Sequence, residues 1–157
     1  MKLKQIIYMS CLTILLAACT SEAAKPVDIR QNEDSCDVCH MGIEEMDAAA
    51  QMILKNGKPV LFDDIGCMVE YFQKEKPEYE AAFVHDYQTK EWISFDASWF
   101  VHDQNIASPM SYGIAAFHSE EDALAFLEEH EGEAYSKDDL LNADLNSFKK
   151  PGMKHSH

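Results

Sequence analysis

Residues 48–72 read Ala48-Ala49-Ala50-Gln51-Met52-Ile53-Leu54-Lys55-Asn56-Gly57-Lys58-Pro59-Val60-Leu61-Phe62-Asp63-Asp64-Ile65-Gly66-Cys67-Met68-Val69-Glu70-Tyr71-Phe72, and this run sets the architecture of the chain. Asn56-Gly57 lies between two apolar stretches, 48–55 and 58–62. That dipeptide favours a two-residue type I′ turn, so the stretches are expected as antiparallel strands. Asp63 or Asp64 then offers a carboxylate to the free amides of a helix start. Ile65, Met68, Val69 and Phe72 recur at the spacing of one buried helical face, and Pro77 closes the helix.

Working outward, 82–87 read as a strand, 91–101 contain strand material, 112–117 form a further strand, and Ser119 caps a helix running to 129. Phe62-Asp63-Asp64 followed by Phe72 is echoed by Phe117-His118-Ser119 followed by Phe126. The shared order of strand, cap and helix implies two related strand-strand-helix-strand units. The expected fold class is α+β, with two ββαβ-like units in one small domain spanning 35–145, a length suited to a single modest core.

The flanks read differently. Lys2 and Lys4 precede an apolar run at 6–16, and Leu16-Ala17-Ala18-Cys19 has the small-residue pattern of a cleavage site. The apolar run is too short to span a bilayer, and a cysteine directly after Ala18 resembles a bacterial lipobox. Residues 1–18 are thus expected as a lipoprotein signal peptide and Cys19 as the lipid-modified N-terminus. That places the chain on the extracytoplasmic face of a cell membrane. Residues 19–34 are polar and acidic and read as a flexible tether. Residues 146–157 read as a disordered tail in which Met153, His155 and His157 are loose metal donors. The formal net charge of −15 argues against nucleic-acid partners and favours solubility and attraction of cations.

Removal of Cys11 with the signal and lipidation of Cys19 would leave Cys36, Cys39 and Cys67, an odd number that does not make a pure disulfide scaffold. Cys36-Asp37-Val38-Cys39-His40-Met41 concentrates two thiols, an imidazole and a thioether. As Cys-x-x-Cys-His it satisfies a c-type haem attachment pattern, with His40 as one axial ligand and Met110 as the other. The hairpin and the β-rich runs oppose that reading, since small cytochromes of this type are mostly helical. A dithiol redox site is disfavoured by Glu33, Asp34 and Asp37, which raise thiol pKa values. Structural zinc wants four ligands, which Cys67 and a histidine could supply only through the fold.

Soft-metal capture uses the residues better. With Cys39-His40-Met41 extended, thiolate and thioether project together while His40 faces away. Cu(I) accepts few, soft ligands, so one more sulfur completes a site. Met110 in the loop-like Ser108-Pro109-Met110-Ser111 is the best third donor, with core filling as its ordinary alternative. Met46, Met52 and Met68 fit the apolar pattern. His85 shares a strand register with Phe83 and Tyr87 and reads equally as core histidine or ligand. His102 and His118 read as ordinary surface groups, and Cys67 as a buried small hydrophobe.

Taken together, Cys36-x-x-Cys39-x-Met41, the Asn-Gly hairpin, Phe62-Asp63-Asp64 before a helix, 92–101, and Ser108-Pro109-Met110-Ser111-Tyr112-Gly113-Ile114-Ala115-Ala116-Phe117 resemble the NosL family over 35–129. The resemblance implies lipid-anchored copper proteins that accompany maturation of nitrous oxide reductase. Their fold is one of paired ββαβ units like part of organomercurial lyase. It maps the family's Cys-x-Met motif onto Cys39 and Met41 and its downstream methionine onto Met110. It also implies a non-enzymatic Cu(I) metallochaperone whose partner is nitrous oxide reductase or its copper-site assembly machinery. Ser111 stands where many relatives show glycine, and Cys36 is additional: a ligand, a disulfide partner (with Cys67) or a spare. The alternatives to this function are a monohaem electron-transfer lipoprotein using Cys36, Cys39 and His40, or a general copper-scavenging lipoprotein.

Overall fold

The computed structural model describes residues 23–149. The signal-peptide, Cys19 and Met153/His155/His157 expectations lie outside these residues. Among the described residues, no helix is long and apolar enough to cross a membrane.

Strands β1 (Ala50–Leu54) and β2 (Pro59–Phe62) form the expected hairpin, in register Ala50 with Phe62 through Ile53 with Pro59. Its turn differs from expectation. Gly57 donates to the Leu54 carbonyl at 2.8 Å, Leu54 donates to the Lys58 carbonyl at 2.9 Å, and Gly57 but not Asn56 has positive φ. The connection is therefore a type I turn completed by a left-handed glycine, one residue longer than a type I′ loop. Asn56 accepts from the Lys58 amide instead of adopting the left-handed backbone.

Helix α1 (Ile65–Glu75) follows, capped by Asp64, with Ile65, Met68, Val69 and Phe72 buried as their spacing requires. It ends at left-handed Lys76, immediately before Pro77. Strands β3 (Tyr79–His85) and β4 (Trp92–Ser94) complete a first antiparallel sheet of order β2-β1-β3-β4. β5 (Trp99–His102), β6 (Ile114–Phe117), helix α2 (Glu120–Leu127) and β7 (Glu133–Ser136) form the second unit, with sheet order β6-β5-β7. Order β2-β1-β3 in the first sheet matches β6-β5-β7 in the second, and each middle strand pairs antiparallel with both neighbours. The helix follows the second strand in both units: Phe62 and Asp64 lead into α1 as Phe117 and Ser119 lead into α2. The fold class is α+β with paired ββαβ units.

Asp86 links the units. It bridges to Ala116 in parallel, Tyr87 donates to the Ala116 carbonyl at 2.7 Å, and the Asp86 carboxylate accepts from the His118 amide at 3.1 Å. The main core runs from Met52, Phe62 and Met68 through Phe95 and Phe100 to Leu140 and Phe148.

Both domain edges shift relative to expectation. Part of the supposed tether is packed: the Gln51 side chain, fully buried, accepts from the Val27 amide at 2.6 Å and donates to its carbonyl at 3.1 Å, and Ile29 is buried beside Ile43 and Ala49. A short charged stretch can be held this way because one buried amide side chain satisfies both backbone groups. At the other end, helices α3 (Lys137–Asn142) and α4 (Leu145–Phe148) extend the fold past 145. Phe148 is buried and stacks on His102 with centroids 3.9 Å apart.

Gly66 has a packing reason. A Cβ there would lie 2.1 Å from the Tyr112 ring, so the glycine lets the 108–113 loop press against the start of α1. Gly66→Ala is expected to destabilise the fold by about 1–3 kcal/mol, the usual range for overpacking, measured by urea unfolding.

Candidate metal centre

Loop 35–42 is closed by a bridge between Ser35 and Gly42, by the Cys36 amide donating to the Met41 carbonyl at 2.9 Å, and by the His40 amide donating to the Cys36 carbonyl at 3.0 Å. It docks on the edge of β2. Asp37 donates from its amide to the Leu61 carbonyl and accepts from the Leu61 amide through its carboxylate, each at 2.8 Å. This pairing delivers the loop's cysteines to the end of β2, next to Asp63 and the first turn of α1.

There the sulfurs of Cys36, Cys39 and Cys67 and a carboxylate oxygen of Asp63 all lie within 4.8 Å of one another. All three cysteines are free thiols; Cys36 and Cys67 are buried and Cys39 is partly exposed. The Cys39 thiol donates to Asp63 Oδ2 at 3.3 Å. Asp63 is buried, and its other oxygen, Oδ1, has no hydrogen-bond partner. A buried, unpaired carboxylate oxygen is costly unless a cation or proton meets it. Three sulfurs beside the Asp63 carboxylate make the donor set soft, which suits Cu(I) or another thiophilic ion and not a hard cation.

The thiols are not equivalent. Cys36 is lowered to about 7, first by the Cys67 S–H directed at it and then by the backbone amides of Cys39, Asp63 and Val38. Cys39 is raised to about 12, chiefly by burial, with Cys36 and Asp63 adding to the effect. Cys67 is pushed far up by its hydrogen bond to Cys36, by burial and by the nearby acids. The surroundings thus favour the thiolate at Cys36 and the protonated thiol at Cys39 and Cys67.

The residues expected at the site are distributed unevenly. Cys39 and Cys36 are in the cluster. The backbone of 39–41 is not extended: 37–39 form a turn and His40 is left-handed at φ 62°. Cys39 consequently turns in to Asp63, while Met41 is 53% exposed. Met41 instead lines a cavity of about 220 Å³ with Gly42, Glu44, Glu45, Asp63 and Pro109, and Asp63 is the member of the thiol cluster that this cavity shares. Met110 is buried in the main core, not exposed on its loop. Its amide donates to Asp64 Oδ2 at 3.1 Å, while Asp64 Oδ1 accepts from Gly66 at 2.6 Å, so one carboxylate caps α1 and holds the 108–113 loop beside it. Ser111 has φ 58°, the left-handed region that favours glycine.

His40 is exposed and outside the cluster. His85 stacks on Trp92 with centroids 3.7 Å apart, faces the Ala49 carbonyl at 3.3 Å, and lines a separate cavity with Glu45 and Asp47. It belongs to that wall and not to the thiol site. Cys67 and Asp63 complete the cluster, and of these Cys67 is the thiol expected either as a buried hydrophobe or as a partner of Cys36. Cys67 is buried as expected, yet its sulfur faces the other thiols. Asp63 reads in the sequence only as one of two alternative helix caps. The doubled acid was the available signal, because a helix start uses one carboxylate and leaves the other to be explained.

The fold and the site define an α+β domain of paired ββαβ units carrying a buried, thiol-rich candidate metal centre. The chain belongs to the NosL family, whose family model matches residues 26–145. It is similar to the crystal structure of the copper chaperone NosL from Shewanella denitrificans, with a TM-score of 0.63 and 20% identity, over 73% of this chain and 95% of that one. No curated protein matches the chain.

The pattern of thiol ionisation is directly measurable. Thiolate absorbance of the reduced chain is expected to rise through a step near pH 7 that Cys36→Ser removes, with the remaining thiols of the centre ionising well above it. A first step at 9 or higher would contradict the arrangement.

Proposed function

We propose that this protein is an extracytoplasmic Cu(I) metallochaperone, tethered by lipid at Cys19, which carries copper to nitrous oxide reductase or its assembly machinery and catalyses no turnover reaction. The observation that carries the reading is the convergence of three thiols on the buried carboxylate of Asp63, one of whose oxygens has no hydrogen-bond partner, within a NosL-family fold. The copper-chaperone title of the similar crystal structure supports it.

Cys39 is the anionic ligand, because it alone of the three thiols is partly exposed and bonds Asp63, which lines the cavity beside Met41. Met41 and Met110 supply neutral thioethers, soft enough for Cu(I) and weak enough to be exchanged. Met41 at the surface gives a partner's ligands a first point of entry, and the acidic rim of Glu44 and Glu45 favours the approach of cations. Loading must displace the Cys39 proton, so apparent affinity rises as pH rises toward 12, about tenfold per unit for each proton released.

Haem attachment fits the residues poorly. Cys36 is buried beside Cys67, where no thioether bond to a porphyrin can form without dismantling the core, and His40 is exposed and outside the thiol cluster.

In competition with a Cu(I) chelator, Cys39→Ser is expected to weaken binding by more than the roughly 10–100-fold that loss of an outer partner costs, and Met110→Ala by less. Unchanged binding in both would sink the site. Carrier and scavenger separate by the copper content of nitrous oxide reductase after deletion of this chain, which falls only if the protein is a carrier.

A further inference from the structure

The donors that converge at the thiol centre come from three parts of the fold. Cys36 and Cys39 belong to loop 35–42, Asp63 follows β2, and Cys67 lies in the first turn of α1. One ligand atom from each of the four lies within 4.8 Å of every other. A tetrahedral zinc site with Zn–S of about 2.3 Å separates its sulfurs by roughly 3.8 Å, so gathering these donors round one ion asks for closures on the order of 1 Å. Structural zinc takes four protein ligands, sulfur foremost, with carboxylate oxygen among the accepted donors. The sequence has no second Cys-x-x-Cys, but the fold brings Cys67 and Asp63 to the two places such a pair would fill.

Asp63 is the residue that calls for an ion. It is 2% exposed, its Oδ1 has no hydrogen-bond partner, and its Oδ2 accepts from the Cys39 S–H. An ion that displaces the Cys39 proton would strip Oδ2 of that donor, and a bare buried carboxylate is costly unless the ion itself meets it. Cys36 and Cys67 are each 1% exposed. Backbone amides serve the loop sulfurs, those of Val38, Cys39 and Asp63 at Cys36 and that of Met41 at Cys39. Amides aimed at sulfur support metal-bound thiolates. Three thiolates and a carboxylate together are better balanced in a buried setting by a divalent ion than by a monovalent one.

We infer that Cys36, Cys39, Cys67 and Asp63 form a closed tetrahedral site for Zn(II), different in its donor set from the Cys39, Met41 and Met110 set that holds Cu(I). The site does not depend on the copper reading. The two sets share Cys39, however, so Zn(II) and Cu(I) exclude one another. The thiol protons go to water as Zn(II) enters, and no electron is transferred. With Zn(II) bound, loop 35–42 is cross-linked to the hairpin and to α1.

The test titrates cobalt(II) chloride, a spectroscopic stand-in for zinc, into the reduced, metal-free full chain under anaerobic conditions. About one Co(II) per chain is expected, with intense visible d–d bands and near-ultraviolet thiolate-to-cobalt charge transfer, all abolished by zinc chloride. Cys36→Ser and Cys67→Ser should each cut the charge-transfer intensity by about one third and weaken Zn(II) binding about tenfold or more. Asp63→Asn should weaken binding while keeping the sulfur bands. Zinc-edge X-ray absorption on the unsubstituted chain frees the test from whether the variants fold: three sulfurs at about 2.3 Å and one oxygen at about 2.0–2.2 Å are expected. Weak octahedral cobalt bands, a zinc shell dominated by nitrogen and oxygen, or bands that both cysteine variants leave unchanged overturn the inference. A chain that retains Cu(I) but shows no tetrahedral cobalt spectrum overturns it and leaves the carrier reading intact. A chain with the three-sulfur zinc shell that cannot retain Cu(I) supports it and removes the carrier.

Discussion

Two adjacent carboxylates at the start of α1 divide the labour on which the rest of the site depends. Asp64 is almost wholly buried, and burial raises its pKa, yet both its oxygens are occupied: one by the Gly66 amide, the other by the Met110 amide. It therefore joins the first unit of the fold to the loop before β6 in the second. The contact is feasible only because Gly66 has no side chain to hold Tyr112 away. With the helix cap and the loop both served by Asp64, Asp63 is left facing the thiols. Its unpaired oxygen is affordable at the centre of a domain only if a cation or a proton regularly meets it.

Sulfur chemistry and fold support one another here. The loop that carries Cys36 and Cys39 has little regular structure, and it is held by backbone pairing to β2 at Leu61 and by its own closure at Ser35 and Gly42. Cys67 comes from the helix, so the three thiols meet only when hairpin, helix and loop are all in place. Burial and the facing acids keep two of the thiols protonated, which protects them until an ion arrives. Exposed Met41 and the cavity beside Asp63 leave one side of the centre open. A carrier needs this asymmetry, with grip from the core side and exchange from the solvent side.

Much of this was legible in the residues. The hairpin, the capped helix and the repeat of Phe62-Asp63-Asp64 in Phe117-His118-Ser119 follow from local patterning, and both sheets show the same strand order. The turn at Asn56-Gly57 escaped because the dipeptide also suits a type I turn with a left-handed glycine. Strand β7, Glu133–Ser136, escaped because it is short and half-exposed and carries no alternation. Cys36 and Cys39 were visible as a motif, but the partnership with Cys67 and Asp63 spans separate elements and has no sequence period. The extended reading of 39–41 failed for the same reason: His40 takes a left-handed backbone set by the docking of the loop on β2, not by its immediate neighbours.

The central claim is that copper is held by sulfur, with the Cys39 thiolate as its anionic ligand beside Asp63. X-ray absorption at the copper edge on the Cu(I)-loaded chain tests it most directly. The account predicts a low-coordinate first shell dominated by sulfur, which loses a sulfur scatterer in Cys39→Ser. A first shell dominated by nitrogen, or one that Cys39→Ser leaves unchanged, would contradict it.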